Sequence, residues 1–557
     1  MTATEFKANT PPPVLSNDTG ESSCEHDRVY KTGIFQAQDD FIRPSNEILL
    51  SYFEIAISAN NISADPKHNQ HYRKGWRSGE GSALCVIFPQ TLDHLFKALI
   101  ICVQNNLVIV MQAANTGLTE GSTPSGNDYD RPVVVINTLA LNDLHLINKG
   151  EQVISMPGAT LHKLEQTLSG IQRAPHSVIG SSSLGASVVG GIANNSGGAL
   201  VKRGPAYTEL GVYAQITAEG ELILVNHMGL YLGDTAEDVV SNLEQGKFDK
   251  EALIQGSRVA SDNAYQARIK DVDADTPSRF NADPRRLYEV SGCAGKLAVF
   301  AVRVDTHPVA KQEASFYIGT NNSDDLYRLR RLLLTELEEL PEVGEYMHRD
   351  AFDIAQAYGK DTFLSVMHLG TKRLPKMFAI KGRVDAVLNN QKWLPNYLTD
   401  RMMQLGSKFF PQHLPKRMLE FRAKYEHHLV LKLSDASIEK GRELMKHFFA
   451  APESTSEYFE CTPDEAKKAY LHRFAAAGAA IRYQTMHSKH VGDILALDIA
   501  LRRNEQGWVE ELPPEIDQFI EKKLYYGHFF CHVFHQDYIL KKGANPDSVK
   551  AAMLALL

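Results

Sequence analysis

The chain has 557 residues, 43% hydrophobic and 23% charged, which is typical of a globular protein and excludes a mostly disordered or fibrous chain. At about 100–200 residues per domain, this length predicts about three domains. Residues 1–40 lack an apolar core behind a basic start, and no run reaches ~18 apolar residues, so neither a secretory signal nor a transmembrane helix is predicted. A net charge of −8 argues against nucleic-acid binding, and six cysteines without a CxxC pair read as reduced thiols.

Secondary-structure patterns begin after a polar stretch. Residues 1–45 are rich in Pro, Ser, Asn, Asp and Glu and predict a disordered tail. Short strands and helices then alternate, and longer helical patterns follow Asp305. The predicted strands are 84–88, 107–111, 133–136, 211–217, 221–225 and 297–304, the predicted helices include 91–105 and 326–340, and a strand over 425–433 is left open. This mixture of short strands and helices predicts an α+β fold.

Two glycine-rich loops stand out. Residues 112–122 directly follow a predicted strand, and residues 180–198 hold six glycines. Glycine lets backbone N–H groups approach a pyrophosphate closely, and small hydroxyl side chains add donors. The chain has no GxGxxG after a strand, no GxxxxGK[ST] and no GxSxG, which disfavours a nicotinamide Rossmann site, a P-loop and a serine hydrolase. One such cluster could be a set of turns, but two in this order predict a clamp on an extended dinucleotide.

The order of these loops and strands resembles the FAD-binding domain of vanillyl-alcohol-oxidase-type flavoproteins. Over about residues 49–557 the chain also resembles the quinone-dependent, membrane-associated D-lactate dehydrogenases of bacteria. The strings that carry this second resemblance are Tyr72–Gly79, Gly117–Thr123, Pro205–Glu209, Ser291–Ala298, Gly344–Asp350 and Tyr526–Phe530.

The resemblance implies non-covalent FAD, because neither loop contains the His or Cys through which some relatives attach the flavin covalently. Val299 would form an apolar wall near the flavin, which does the hydride chemistry while the protein orients it. The remaining FAD-binding residues that it implies are Ala113, Ala114, Asn115, Thr116, Gly117, Gly121, Ser122, Gly180, Ser187 and Gly197.

A 2-hydroxy acid needs a cation for its carboxylate and a base for its hydroxyl. Arg473 and Arg482 lie nine residues apart in an alanine-rich helical pattern, on nearly opposite faces of an ideal helix. At most one of them is therefore expected to hold the carboxylate unless the helix ends between them. Arg473 matches in context the arginine of related D-2-hydroxyacid dehydrogenases.

The histidines of the segment 526–537 supply candidate bases, His528 and His535. Their seven-residue step is similar to a pair of metal-binding histidines in some relatives, but those relatives have a glycine-rich turn between the two. In a regular strand the step places the side chains on opposite faces, so no metal is predicted. A catalytic histidine facing the flavin and a hydrogen-bonded core histidine remain the alternatives.

The segment 372–424 carries twelve basic residues against three acidic ones, a net of +9, with apolar and aromatic residues between them. Basic side chains near an anionic leaflet contribute about 1 kcal/mol each, and interfacial aromatics add apolar burial. The pattern favours docking on an anionic membrane surface. A basic face packed on an acidic neighbour and nucleic-acid binding are the alternatives.

The resemblance, together with the basic segment, implies a peripheral flavoprotein on the cytoplasmic face of the inner membrane, which oxidises D-lactate and passes the electrons to ubiquinone. The predicted domains are a tail (1–45), a two-lobed FAD domain (46–305), an α+β cap domain (306–347 and 425–557) and a mostly helical docking segment (348–424). The alternatives are a soluble FAD-dependent oxidase or dehydrogenase of another 2-hydroxy acid and an inactive flavoprotein. The second arises because the resemblance implies a further segment after Leu557, with a Glu-His pair and a glycine-rich stretch.

Overall fold

The computed structural model describes residues 25–38, 41–75, 79–117, 120–176, 185–254, 256–369, 398–407, 409–451 and 455–556. The helices are α1 Asn46–Ile57, α2 Leu92–Gln104, α3 Leu161–Ser169, α4 Val188–Ala193, α5 Ala236–Gln245, α6 Tyr265–Lys270, α7 Ser323–Glu336, α8 Arg349–Tyr358, α9 Lys360–Leu369, α10 Leu398–Ser407, α11 Lys416–Lys424, α12 Ser437–Ala450, α13 Pro463–Met486, α14 Pro514–Asp517 and α15 Pro546–Leu554. The strands are β1 Arg28–Phe35, β2 Ile62–Ser63, β3 Cys85–Ile87, β4 Val108–Gln112, β5 Val133–Asn137, β6 Leu144–Ile147, β7 Gln152–Ser155, β8 Arg173–Ala174, β9 Gly211–Ile216, β10 Glu221–Asn226, β11 Ala298–Asp305, β12 His307–Pro308, β13 Glu313–Thr320, β14 Val343–His348, β15 His427–Ser434, β16 Glu457–Glu460, β17 Val491–Ala500, β18 Ile520–His528 and β19 Val533–Lys541.

The N-terminal half contains two lobes. The first is a four-stranded sheet in the order β2-β3-β5-β4, whose strands β3, β5 and β4 run parallel. The second is a six-stranded antiparallel sheet in the order β1-β10-β9-β11-β7-β6. Strand β11 is buried on both faces: Phe300 joins the core shared with α1 and α2, while Val299 and Val302 join the core under α3 and α4. This is the two-lobed arrangement that the sequence predicts.

The expected boundary of the disordered tail at residue 45 is wrong. Strand β1 pairs with β10 and forms an edge of the six-stranded sheet well before that residue. Only Tyr30 of this strand is buried, and its hydroxyl donates a hydrogen bond to the Gly233 carbonyl at 2.8 Å. An edge strand with one buried side chain has no apolar periodicity, which explains why the sequence pattern missed it.

The C-terminal half is built on a seven-stranded antiparallel sheet, here called the cap sheet, in the order β16-β13-β15-β14-β18-β19-β17. Its strands alternate cleanly, so that Leu429 and Leu431 of β15 face one core and Val430 faces the other. Helices α6, α7 and α12 cover the first face. Helices α8, α9, α11 and α13 cover the second face, which carries the polar residues described below.

The predicted docking segment 348–424 is also corrected at its two ends. Phe352 of α8, Phe363 of α9 and Met418 of α11 are buried in the core between these helices and the cap sheet, so these helices belong to the cap domain. Residues 370–397 and Lys408, which hold seven of the twelve basic residues, lie outside the described residues. No helix among the residues described is long and apolar enough to cross a bilayer.

Candidate active site

The first glycine-rich loop is closed on itself by side chains. Asn115, in the left-handed region at φ 52°, accepts hydrogen bonds from the Ser122 hydroxyl (2.9 Å) and the Thr123 hydroxyl (3.1 Å) and donates to the Lys74 carbonyl at 2.8 Å. Gln112, buried at the end of β4, donates to the Ser122 carbonyl at 2.7 Å. The loop therefore holds its shape through its own side chains. Apart from its two chain neighbours, no atom of the described residues lies within 4 Å of where a Cβ of Gly117 would stand, so these residues leave space at its backbone.

The second loop approaches the first. A Cβ on Gly185 would lie 3.9 Å from the Cβ of Ala114. Ser187 caps α4 by accepting a hydrogen bond from the Gly190 amide at 3.0 Å, and Val299 is buried in the core beneath that helix. The two predicted loops are thus brought together, with the Val299 side chain on the α3 and α4 side. Gly180 lies outside the described residues.

A third segment, residues 291–296, packs against both glycine-rich loops. Sequence reasoning did not identify it as part of the site. The amides of Gly292 and Ala294 donate to the Ile192 and Ala193 carbonyls at 3.0 and 2.9 Å, and a Cβ on Gly295 would lie 3.5 Å from the Gly121 carbonyl oxygen. The sequence feature that could have identified this segment is the pair Gly292 and Gly295 within the string Ser291–Ala298. Both glycines have a positive φ.

Arg279 connects the second loop to the cap sheet. Its guanidinium is buried, donates to the Gly198 carbonyl at 2.6 Å and lies 2.8 Å from where a Cβ of Gly197 would stand. Position 197 is therefore a glycine because a side chain there would collide with the Arg279 guanidinium. The sequence did not reveal this reason. The neighbouring Ser278 hydroxyl donates to the Cys531 carbonyl at 2.9 Å, in the turn after β18. Arg279 thus lies close enough to the cap sheet to act electrostatically on His528.

The second face of the cap sheet carries a polar group that we call the Glu345 cluster. Its members are Glu345, Arg473, Asp498, Tyr526, His528 and His535. Glu345 on β14 stands directly across from His528 on β18, and His535 on β19 stands between Tyr526 and Asp498 on the two neighbouring strands. Side chains in register on adjacent strands share a face, so the sheet itself assembles the group.

Glu345 is the centre of the cluster. One of its carboxylate oxygens lies 2.8 Å from Nδ1 of His528, and the other lies 2.9 Å from Nε of Arg473, while its side chain is only 7% exposed. Burial would raise the pKa of Glu345, but the positive charge of Arg473 and the hydrogen bond from His528 outweigh it and hold that pKa below its usual value. Glu345 is therefore a carboxylate.

His528 is the neutral partner of this carboxylate. Burial lowers the pKa of His528 to about 4, against an opposing effect of Glu345. A neutral imidazole beside a carboxylate donates its proton to it, so Nδ1 carries the hydrogen and Nε2 keeps its lone pair. The geometry thus provides a base whose tautomer is fixed by Glu345.

The expectation that His528 and His535 point to opposite faces is wrong. The seven residues do not form one strand, because β18 ends at His528 and β19 begins at Val533. The turn between them passes through His532, in the left-handed region at φ 58°, and the two rings end 5.3 Å apart on one face. His535 pairs with Asp498, whose oxygen lies 2.7 Å from its Nδ1. No group of three or more His, Cys, Asp or Glu side chains suited to a metal ion is present among the described residues.

Arg473 and Arg482 lie on one unbroken helix, α13, and face different partners. Arg473 pairs with Glu345, and its guanidinium carbon lies 4.5 Å from the ring centre of Tyr526, a cation–π contact that orients the fork. Arg482 lies 2.5 Å from Asp361 and 3.4 Å from Asp400. Two carboxylates already neutralise Arg482, which leaves Arg473 as the arginine of the cluster.

Two family models match the chain. The model described as "FAD binding domain" matches residues 83–226, and the model described as "D-lactate dehydrogenase, membrane binding" matches residues 315–557. The quinone-dependent D-lactate dehydrogenase of Escherichia coli (strain K12) is 54% identical over 512 residues, 92% of this chain and 89% of that protein. That of Haemophilus influenzae is 52% identical over 91% of this chain and 90% of the relative, and that of Corynebacterium glutamicum is 42% identical over 91% and 88%.

Solved structures match the fold at low sequence identity. An alkyldihydroxyacetonephosphate synthase superposes with a TM-score of 0.57 at 10% identity, covering 95% of this chain and 83% of that one. A substrate-bound p-cresol methylhydroxylase superposes with a TM-score of 0.54 at 11% identity, covering 95% and 87%. These two superpositions, with the match to the FAD-binding model, confirm the predicted fold class.

Proposed function

The chain belongs to the quinone-dependent D-lactate dehydrogenases, and on that basis we propose that it oxidises D-lactate to pyruvate at the Glu345 cluster, with ubiquinone as the final electron acceptor. One observation carries the placement of the site. A carboxylate-oriented neutral histidine and an arginine share one buried face, and Arg279 links that face to the second glycine-rich loop. These are the base and the cation that a 2-hydroxy acid requires.

The residues of the two loops fit FAD. They meet at Gly185 and Ala114, leave space at the backbone of Gly117, and hold the buried cation of Arg279 against Gly198, and this positive charge would favour a cofactor that carries two phosphates. Ala113 to Gly117, Gly121, Ser122, Gly180, Ser187, Gly197 and Val299 would hold it, as the sequence predicts. When bound, FAD accepts the hydride that leaves C2 of the substrate.

His528 would take the hydroxyl proton of D-lactate at Nε2. The developing imidazolium then forms an ion pair with Glu345, so the same carboxylate that sets the tautomer stabilises the charge that appears during the reaction. His535, paired with Asp498 and 31% exposed, stands 5.3 Å away and would receive or exchange that proton. Lactate loses two electrons and two protons in all, and a quinone gains the same number, so the reaction balances without another reactant.

Arg473 would bind the carboxylate of the substrate. Its Nε lies 2.9 Å from Glu345 in an ion pair without hydrogen-bond geometry, and its guanidinium lies over the ring of Tyr526, so these two contacts orient its N–H donors. The substrate carboxylate and hydroxyl would then reach Arg473 and His528 side by side, because Glu345 contacts both.

We expect FAD to be bound without a covalent link, because the loops contain no His or Cys. Acid or heat should release all flavin into the supernatant, where its absorbance is measured. Gly117→Val should weaken FAD binding at least tenfold, since its side chain enters the open space that the cofactor would fill. Gly478→Ala, inside α13 with open space around it, is the control and should keep its flavin. Flavin that precipitates with the protein would contradict the non-covalent assignment.

Replacing Arg473 with Lys should raise KM for D-lactate at least tenfold, because a point charge replaces a bidentate fork. The matched control is Arg482→Lys on the same helix, which keeps a cation between Asp361 and Asp400 and should leave steady-state kinetics near the parent values. Equal effects of the two substitutions would show that Arg473 acts only through helix stability.

The pH profile tests the base. Because burial lowers the pKa of His528 to about 4, kcat/KM for D-lactate should stay level from pH 8 to about pH 6 and decline only below that. Glu345→Gln should lower kcat about 10²-fold and move the acid limb to lower pH, since Glu345 raises the pKa of His528. Circular dichroism at each pH would separate titration from unfolding. An acid limb at pH 6.5 or above in the parent would exclude His528 as the base.

Membrane docking is proposed through the basic segment, on the cytoplasmic face of the inner membrane. In the described part, Arg417, Arg422 and Lys424 form ion pairs with Glu465, Asp353 and Glu457. Their charges are therefore partly neutralised within the cap domain. This agrees with the alternative of a basic face packed on an acidic neighbour. Six of the twelve basic residues lie between α9 and α10, against one acidic residue, Asp385, so this stretch carries the largest share of the charge left for an anionic surface.

Changing Lys372, Arg373, Lys376 and Lys381 to Glu should abolish most binding to anionic vesicles in a sedimentation assay while leaving lactate-dependent reduction of a soluble dye intact. The control changes four exposed lysines of the N-terminal half, Lys31, Lys67, Lys247 and Lys250, to Glu and carries the same net charge. Binding of the parent should weaken as salt rises. Equal loss in both variants would mean that net charge, and not this segment, directs binding.

A further inference from the structure

Among the described residues of the cap domain, three buried histidines have no hydrogen-bond partner at either ring nitrogen. His413, His428 and His472 are 6%, 2% and 1% exposed, and neither ring nitrogen of any of them makes a hydrogen bond within the described residues. The backbone of Phe352 lies near His472 but outside hydrogen-bonding geometry. A buried donor or acceptor without a partner costs about 1–3 kcal/mol, so six such nitrogens in one place require an explanation.

The three rings are close together and lie against aromatic side chains. His413 and His472 have ring centres 6.5 Å apart, and the ring of Phe352 lies 4.2 Å from His472 and 5.2 Å from His428. Phe363 lies 4.6 Å from His413. Phe352 and Phe363 are both buried. The cluster therefore combines polar nitrogens with flat apolar surfaces.

Each histidine of this cluster is neutral. Burial lowers the pKa of His413 to about 4 and of His472 to about 3, and it lowers the pKa of His428 as well. A neutral imidazole offers one N–H donor and one acceptor. The natural complement is an uncharged molecule with carbonyl acceptors on a flat apolar ring.

Resting on the proposed function, we propose that His413, His428 and His472 line the binding slot of the quinone headgroup, with ring N–H groups donating to its carbonyl oxygens and Phe352 and Phe363 packing on its ring. The three side chains are buried in this structure, so binding of a headgroup requires the packing around them to open.

The position of the cluster supports this assignment from both sides. His472 directly precedes Arg473 on α13, and His428 stands in the same row of the cap sheet as Met347 and Tyr526, so the substrate cluster is its neighbour. On the other side, Phe363 belongs to α9, which leads into the basic segment proposed to meet the membrane. A headgroup bound here would lie between the site of lactate oxidation and the lipid that supplies the quinone.

The reduction balances with the groups named. The quinone takes up two electrons from the reduced cofactor and two protons, which equals what lactate has lost. The slot needs to supply hydrogen bonds to the carbonyl oxygens and, as these become hydroxyls, acceptor nitrogens for the new O–H groups. A neutral histidine does both, because it has one nitrogen of each kind.

The first test uses the parent holoenzyme and an azido-substituted ubiquinone with a short tail. After illumination, cross-linked peptides are mapped by mass spectrometry. The expected labels fall in residues 347–369, 409–430 and 469–483, and excess ubiquinone-1 should remove them. Labels confined to other parts of the chain would overturn the proposal whatever the variants show. Absence of label in an enzyme that reduces ubiquinone-1 would also overturn it and would leave buried water as the partner of the histidines.

The second test separates the two half-reactions. His413→Phe and His472→Phe keep the ring shape and remove the donors, so KM for ubiquinone-1 should rise at least tenfold while D-lactate reduction of a soluble dye stays within twofold of the parent. The matched control is His487→Phe, at the residue that follows the C-terminal end of the same helix, whose nitrogen is already bonded to the Tyr358 hydroxyl at 2.7 Å. An equal loss of activity with the dye and with ubiquinone-1 would contradict the proposed quinone site. Failure of the parent to reduce dye with D-lactate would instead refute the proposed function.

Discussion

The buried carboxylate of Glu345 is the interaction on which the rest of the site depends. Moving a carboxylate out of water is expensive, and it is tolerated here because Arg473 and His528 each contact one oxygen. Removing one partner of such a group leaves an uncompensated charge, which typically costs 3–5 kcal/mol. Glu345 therefore ties α13 to the cap sheet and fixes the relative positions of His528 and Arg473, the base and the cation that we propose. Catalytic geometry and cap stability rest on the same contacts.

The FAD half could be predicted largely from the sequence because its signals are local. Apolar strands followed by glycine-rich loops are contiguous in the chain, and the strands predicted over 107–111, 133–136 and 221–225 correspond to β4, β5 and β10. The open strand over 425–433 corresponds to β15. Even so, the reason for Gly197 is a long-range contact with Arg279, eighty-two residues away, which no local pattern contains.

The polar cluster could not be predicted in the same way, because the cap sheet assembles it from strands far apart in the chain. A glutamate in a strand usually faces water, and nothing in the string around Glu345 indicates that a helix more than a hundred residues later covers it. If the chain ran as one strand from His528 to His535, the two side chains would lie on opposite faces of the sheet. A turn with a left-handed residue at His532 instead brings both side chains to one face. Periodicity arguments fail where the chain reverses.

In the mechanism that we propose, both half-reactions depend on helix α13. Its alanines, five of which are buried, have little side-chain bulk, and this allows the helix to pack closely on the cap sheet and against α8. Successive residues of a helix are turned by about 100°, so Arg473 and its neighbour His472 face different surroundings, the Glu345 carboxylate and the aromatic ring of Phe352. A shift of this helix would move the cation that we place at the lactate carboxylate together with the donor that we place at the quinone. Binding at the proposed lactate site would therefore change binding at the proposed quinone site through one rigid helix, without a separate signalling device.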